Sequence, residues 1–312
     1  MKILGHSDLD ITPIGFGSWA VGGPWENGWG KQDDGASIAA IHKALELGVN
    51  WIDTAPAYGL GHSEEIVARA LAEWSGEKPY VFTKCGIVWD DQGTISYSLR
   101  ADSIRRECEA SLRRLKVDTI DLYQAHWPGD EIEETLEGWA EMAKLKKEGK
   151  VHWIGASNFS VEELQRCAEI APVTSLQPPF SLVKPGAADE LLPHCSENGI
   201  GVIVYSPMAS GLLTGKMTRE HIDTLAKDDW RKKNDDFKEP KLTKNLALVE
   251  RVKQVAEKHH CSPGEVAIAW VLHHPEVTGA IVGGRNANQV QGTIGGAKLK
   301  LTAEDMALLE GK

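Results

Sequence analysis

Ala101-Asp102-Ser103-Ile104-Arg105-Arg106-Glu107-Cys108-Glu109-Ala110-Ser111-Leu112-Arg113-Arg114-Leu115-Lys116 leads, through Val117-Asp118, into Thr119-Ile120-Asp121-Leu122-Tyr123-Gln124-Ala125. In the first stretch apolar residues return every three or four positions, at Ile104, Cys108, Leu112 and Leu115. That is the period of a helix with one buried face. It ends on Arg113, Arg114 and Lys116, which suits the negative end of the helix dipole, and Asp102 or Ser103 is its expected N-cap. The second stretch is short, mostly apolar and bounded by turn-forming residues, as a strand buried on both faces would be. A helix feeding such a strand through a brief connection is half of a βαβ unit.

The same pairing repeats in both directions. Strands are expected near 15–20, 50–54, 79–84, 119–125, 151–156, 174–178, 201–206 and 278–283. Helical patterns fall near 33–47, 63–74, 101–115, 132–148, 160–169, 187–198 and 246–273, the last broken at Ser262-Pro263, an N-cap followed by proline at the first helical position. Another helix is expected near 286–294, and an extra one over 302–310. Eight strands, each followed by a helix, make an α/β fold of the closed (β/α)8 TIM-barrel type. Residues 2–14 are expected to form an N-terminal β-hairpin cap, and the extra helices lie at the C-terminal end. No linker composition or low-complexity tract divides the chain, so residues 1–312 are expected to form a single barrel domain. The longest departure from the repeat is 209–245, with the charged run Lys227-Asp228-Asp229-Trp230-Arg231-Lys232-Lys233. A loop of that length after the seventh strand is expected to be either a lid or a disordered segment.

Composition narrows the function classes. Lys and Arg total 34 against 45 Asp and Glu, a formal charge of −11 in 312 residues. That balance argues against binding nucleic acid or anionic membranes. No apolar run approaches the ~20 residues needed to span a bilayer. The opening residues turn polar at His6-Ser7-Asp8, too early for a secretory signal, so a cytoplasmic location is expected. The five cysteines are scattered without a Cys-x-x-Cys pair, the usage of a reducing compartment. Neither His259-His260-Cys261 nor His273-His274 has ligand spacing, and no metal site is expected.

In a barrel of this kind, chemistry belongs at the C-terminal ends of the strands. The second strand ends Trp51-Ile52-Asp53-Thr54-Ala55 and continues to Tyr58-Gly59. The third ends at Thr83-Lys84, and the fourth runs Leu122-Tyr123-Gln124-Ala125-His126. An acid, a phenol, an ammonium and an imidazole thus reach one rim from three neighbouring strands. A lysine beside a tyrosine stabilises the phenolate and is expected to bring its pKa of ~10 toward neutrality. An aspartate keeps that lysine charged, and a neutral histidine orients a carbonyl oxygen. An aldehyde or ketone accepting a hydride is the group best served. A cofactor must supply the hydride.

Asp53-Thr54-Ala55-x-x-Tyr58-Gly59, Ser63-Glu64, Thr83-Lys84 and Asp121-Leu122-Tyr123-x-x-His126 resemble, in order, motifs of the aldo-keto reductase superfamily. The resemblance extends from Gly15-Phe16-Gly17 to the eighth helix. It implies a catalytic tetrad of Asp53, Tyr58, Lys84 and His126, with Tyr58 as general acid/base. It also implies a nicotinamide dinucleotide bound without a metal and without the Gly-x-Gly-x-x-Gly turn, so Gly15-Phe16-Gly17 is not a fingerprint. Ser157, Asn158 and Gln177 match positions that hold the nicotinamide carboxamide. Tyr205 matches the aromatic residue that stacks on the ring. Ser206, Pro207, Gly211, Leu213 and Lys216 fall in the segment that cradles pyrophosphate. Gly283, Arg285 and Gln289 match the segment at the adenosine phosphate. Arg285 offers a planar donor fork to a 2′-phosphate, which favours NADP(H), with NAD(H) as the alternative. The chain has Val282 where the family often has Pro, and Thr293 where it often has Asn.

Eleven tryptophans are many for this length. Trp19, Trp25, Trp29, Trp89 and Trp127 fall in rim loops, and Trp19, Trp29, Trp89 and Trp127 are expected to line the substrate pocket of a small-molecule carbonyl or alcohol. A second reading of the same resemblance is a cofactor-binding regulatory subunit with slow turnover, like relatives that attach to ion channels. A monomer satisfies either reading.

Overall fold

The computed structural model describes residues 1–226 and 229–312. A hairpin of β1 (Lys2–Ile3) and β2 (Asp10–Ile11) precedes β3 (Ile14–Gly17), the first barrel strand. Then come α1 (Asp34–Glu46), β4 (Trp51–Asp53), α2 (His62–Glu73) and β5 (Tyr80–Cys85). A second hairpin, β6 (Ile87–Trp89) with β7 (Ile95–Tyr97), interrupts the repeat before α3 (Ala101–Leu115) and β8 (Ile120–Ala125). The chain continues through α4 (Ile132–Lys147), β9 (Val151–Ser157), α5 (Val161–Ala168), β10 (Ser175–Gln177), α6 (Leu191–Glu197) and β11 (Gly201–Val204). It ends with α7 (Arg219–Thr224), α8 (Lys241–Lys258), α9 (Pro263–His273), β12 (Val277–Gly283), α10 (Ala287–Gln291) and α11 (Ala303–Glu310). Strands β3, β4, β5, β8, β9, β10, β11 and β12 close in that order, parallel throughout, so the expected eight-stranded barrel and its hairpin cap are both present.

Two apolar layers hold the barrel. Outward residues such as Ile52, Val81, Ile154 and Val204 pack under the helices, while Trp51, Phe82, Leu122, Ile203 and Ile281 fill the interior with Leu4, Leu9 and Ile11 of the hairpin. The Trp51 ring takes the space that side chains at two glycines would occupy. A Cβ at Gly15 would meet it at 2.2 Å and one at Gly279 at 2.9 Å. Its indole N–H donates to the Thr12 carbonyl at 2.9 Å. Strand side chains alternate with period two, so one step above this apolar floor the same inward faces carry Asp53, Lys84, Gln124, Gln177 and Tyr205. The floor positions the chemistry.

Two expectations about the fold need correction. Neither Asp102 nor Ser103 caps α3: the cap is Arg100, without a side-chain bond, and Asp102 lies in the first turn beside Arg106 at 2.5 Å. Glu137 on α4 accepts from the Ala101 N–H instead, at 2.9 Å. The segment 209–245 is not a featureless loop. It contains a 3-10 stretch Ala209–Thr214, α7, two further 3-10 turns and the start of α8, around a small core of Leu212, Met217, Ile222, Phe237 and Leu242. The charge run masked that apolar set, and its Lys227 and Asp228 lie outside the described residues. The hairpin β6–β7 gave no clear alternating signal. Among the described residues, no helix is long and apolar enough to cross a membrane.

Candidate active site

The mouth of the barrel opens into a cavity of about 820 Å³. At its base Lys84, fully buried, donates to Asp53 Oδ1 at 2.5 Å, to the Thr54 carbonyl at 2.9 Å and to Tyr58 Oη at 3.3 Å. The second oxygen of Asp53 accepts from Gln177 Nε2 at 2.9 Å and Gln124 Nε2 at 3.1 Å. The Tyr58 and His126 rings meet edge to face, with centroids 5.8 Å apart. The four residues read from three strand ends are therefore in one place.

Their electrostatics divide the roles. Burial alone would strip the proton from Lys84, but the charges of Asp53 and Tyr58 outweigh it, and its pKa rises above the ordinary value. Burial and the Lys84 charge push His126 well below 6.5, so its ring is neutral at pH 7. Tyr58 departs from expectation. Burial raises its pKa above 10 despite the opposing pull of Lys84, and the phenol stands protonated at neutrality. Desolvation, with the Asp53 charge adding to it, outweighs the ammonium 3.3 Å from the hydroxyl.

Tyr58 is placed by backbone-on-backbone packing. A Cβ at Gly22 would meet the Tyr58 carbonyl carbon at 2.5 Å, and Gly59 turns at φ +67° with its Cβ position 2.0 Å from Gly22 O. Any side chain at either position would push the loops apart. Ser63 and Glu64, read as part of the motif, anchor this loop. Ser63 Oγ bonds Ser18 Oγ at 2.8 Å and Thr54 Oγ1 at 3.0 Å. Buried Glu64 accepts from Thr83 Oγ1 at 2.7 Å and from Arg114 Nε at 2.6 Å.

The other lobe gathers the residues matched to a cofactor. Ser157, Asn158, Gln177, Tyr205, Ser206, Pro207, Gly211, Lys216, Gly283, Arg285 and Gln289 all line the cavity. Asn158 donates to the His126 carbonyl at 2.9 Å and accepts from Tyr205 Oη at 2.9 Å. Ser206, Ala209, Ser210 and Gly211 all have positive φ, bending the chain tightly around the lobe. Arg285 is held by Gln32 Oε1 at 2.8 Å and by the Lys31 carbonyl, while its own N–H donates to Gln289 Oε1 at 2.9 Å. Leu213 does not line the cavity. It is fully buried in the main core, and its N–H is taken by Met208 O at 3.2 Å.

Trp19, Trp29 and Trp127 line the mouth, joined by Trp25 and Trp230. Trp230 lies over Trp19 with ring centroids 4.9 Å apart, and Arg231 sits 4.6 Å from the Trp29 ring. Trp89 is absent from the lining, its ring facing the Arg114 guanidinium at 6.0 Å. Sequence reading passed over Gln124 and Trp230. Inward period-two spacing from Leu122 was signal enough for the first; the charge run hid the second.

This charged cavity fits an anionic dinucleotide. Its wall carries Lys184, Lys216, Arg231 and Arg285 against Asp53 and Asp236, in a chain of net charge −11. Asp53 is already neutralised by Lys84, Arg231 is paired with Asp229 and Lys184 with Asp236, so among the described residues the uncompensated positive charge is that of Lys216 and Arg285.

A closed barrel with this polar ring at its mouth belongs with the barrel oxidoreductases, and a family model narrows the class. Residues 13–312 match the aldo/keto reductase family, and the chain belongs to it. It is 37% identical to aldo-keto reductase YhdN of Bacillus subtilis (strain 168), over 92% of this chain and 86% of that protein. It is 33% identical to the NADH-specific methylglyoxal reductase of Escherichia coli (strain K12), over 98% and 96% respectively. Among solved structures, the glycerol dehydrogenase AKR11B4 from Gluconobacter oxydans matches with a TM-score of 0.88 and 39% identity, covering 100% of this chain and 94% of that one.

Proposed function

We propose that the protein, acting as one domain over residues 1–312, reduces aldehydes or ketones to alcohols reversibly with a nicotinamide dinucleotide, NADP(H) in preference to NAD(H). The observation that carries this reading is the convergence of Tyr58 on Lys84 at 3.3 Å and on the His126 ring at a centroid separation of 5.8 Å, at the base of a cation-lined cavity. A reduced nicotinamide held in this cavity would supply the hydride that the carbonyl carbon accepts. The chain's own residues do the rest. Neutral His126 and Tyr58 orient the carbonyl oxygen between two donors. As negative charge grows there, Tyr58 gives up its phenolic proton, and the Lys84 ammonium stabilises the phenolate left behind. Asp53 keeps Lys84 charged through that transfer, and Gln124 and Gln177 keep Asp53 in place. In the alcohol-oxidising direction the same phenolate takes the proton back.

Ser157, Asn158, Gln177 and Tyr205 would hold the nicotinamide end; Ser206, Pro207, Gly211 and Lys216 the pyrophosphate; and Gly283, Arg285 and Gln289 the adenosine phosphate. The preference for NADP(H) rests on the Arg285 guanidinium, although the methylglyoxal reductase relative is named as NADH-specific. The five free cysteines, four of them buried, support a cytoplasmic setting. A panel of aldehydes and alcohols assayed with both nucleotides tests the reading. Wild-type protein should turn over with at least one carbonyl. Tyr58→Phe should lose about 10²–10⁴ of kcat with nucleotide affinity unchanged within about twofold; retained kcat would refute Tyr58 as the acid.

A further inference from the structure

We propose that Glu107, on the outer helix α3, is a positioning residue for this reaction, acting through the single peptide group between Cys85 and Gly86 on His126 and on the β6–β7 wall of the cavity. The inference rests on the carbonyl-reductase reading and deepens it.

That peptide is bonded at both ends. Its carbonyl, Cys85 O, accepts from the His126 N–H at 2.9 Å, and its N–H, on Gly86, donates to Glu107 Oε2 at 2.9 Å. One residue earlier stands Lys84. Gly86 is buried and turns at φ +93°, and a Cβ there would meet Leu99 Cδ2 at 2.7 Å. The chain leaves the barrel at this glycine, where a side chain would be strained by the positive φ and would have to displace the tip of Leu99. The β6–β7 hairpin hangs from the same point, because Ser98 N–H donates to Gly86 O at 3.1 Å. Ile87, Ile95 and Tyr97 of that hairpin line the cavity. Glu134 of α4 holds the far root, accepting from Leu99 N–H at 2.9 Å. A carboxylate therefore fixes each root of the wall.

Glu107 also accepts from Ser103 Oγ at 3.1 Å. Around it stand Arg106, Arg114 and Cys108 of α3, Cys85 of β5 and Tyr123 of β8, the last three with proton affinities raised by burial. Burial lifts the Glu107 carboxyl to about 7, against the Gly86 N–H, the Ser103 hydroxyl and the two arginines. Tyr58 is shifted upward and His126 well downward, so neither changes charge between about pH 6 and 8. Glu107 does. A charged acceptor holds the peptide more tightly than a neutral one.

The expected profile for wild-type carbonyl reduction is a kcat/KM that rises with pH through about 7. Glu107→Gln keeps an acceptor for Gly86 and a donor for Ser103 but cannot ionise, so its profile should be flat between about pH 6 and 8, at the level of the wild-type acid limb. Glu107→Ala orphans the Gly86 N–H and should raise KM by about tenfold, with a smaller change in kcat. Superimposable profiles for wild type and Glu107→Gln would overturn the proposal. A second measurement needs neither variant nor substrate. In glycine-labelled wild-type protein the Gly86 amide resonance should shift with a midpoint near the kinetic one, and an amide that stays still from about pH 5.5 to 8.5 overturns the proposal. Absence of turnover with every carbonyl, with the amide titrating, would sink the reaction reading and leave the tie intact.

Discussion

Replacing Lys84 by Met and Asp53 by Asn, singly and together, probes the buried pair on which the site stands. The ammonium and carboxylate lie 2.5 Å apart, with side chains 0% and 3% exposed. At an effective dielectric constant of about 20 their attraction is about 7 kcal/mol. Removing both ions from water takes back several kcal/mol, so the pair is not a large net stabiliser. Breaking it is another matter. Lys84→Met leaves a buried carboxylate held only by Gln124 and Gln177, while Asp53→Asn leaves a buried ammonium that burial drives to shed its proton. Each single change should lower unfolding free energy by about 3–5 kcal/mol, and the double change by no more than one single change, a coupling of about 3 kcal/mol. Urea unfolding followed by tryptophan fluorescence at pH 7 reads all four proteins. Because the Lys84 pKa is raised, the pair's contribution is intact at that pH and lost only as pH climbs past the ordinary 10.5 and through the raised value. A double variant destabilised by the sum of the singles would refute the idea that the two charges act as a unit.

The raised Tyr58 pKa sets a direction for pH dependence: alcohol oxidation, which needs the phenolate, should rise steadily from pH 7 to beyond 10, while reduction keeps its proton donor throughout. An oxidation rate flat over that range would argue against Tyr58 as the base. Alanine in place of Trp29 or Trp127 should raise substrate KM by about 3–30-fold, and lowered thermal stability with unaltered kinetics would return both rings to a packing role. Arg285→Ala should raise the KM for NADPH by about tenfold or more with little change for NADH; equal losses would remove Arg285 from nucleotide choice.

The barrel was legible because its strands are short apolar runs and its helices carry a three-to-four residue stripe, each closed by its own turn chemistry. Ser262-Pro263 is a case where one dipeptide marked a boundary that the structure keeps, with Ser262 capping α9 and Glu265 completing the box. The tetrad was legible for the same reason, as polar residues at strand ends have few ways to be satisfied. What escaped was tertiary. Arg100 stands at the α3 cap because carboxylates from α4 serve the entering N–H groups, a partnership no local window contains. Trp230 reaches the mouth because a small apolar cluster orders the surrounding segment, and five widely spaced residues among charges carry no period. Gln124 was visible as an inward residue, but its bond to Asp53 depends on barrel closure.

The indole of Trp51, seated against Gly15 and Gly279, closes the apolar floor directly beneath the polar ring. A molecule bound in the mouth cavity therefore lies between that rigid floor and the rim on which Tyr58 stands, so its depth is set by the indole.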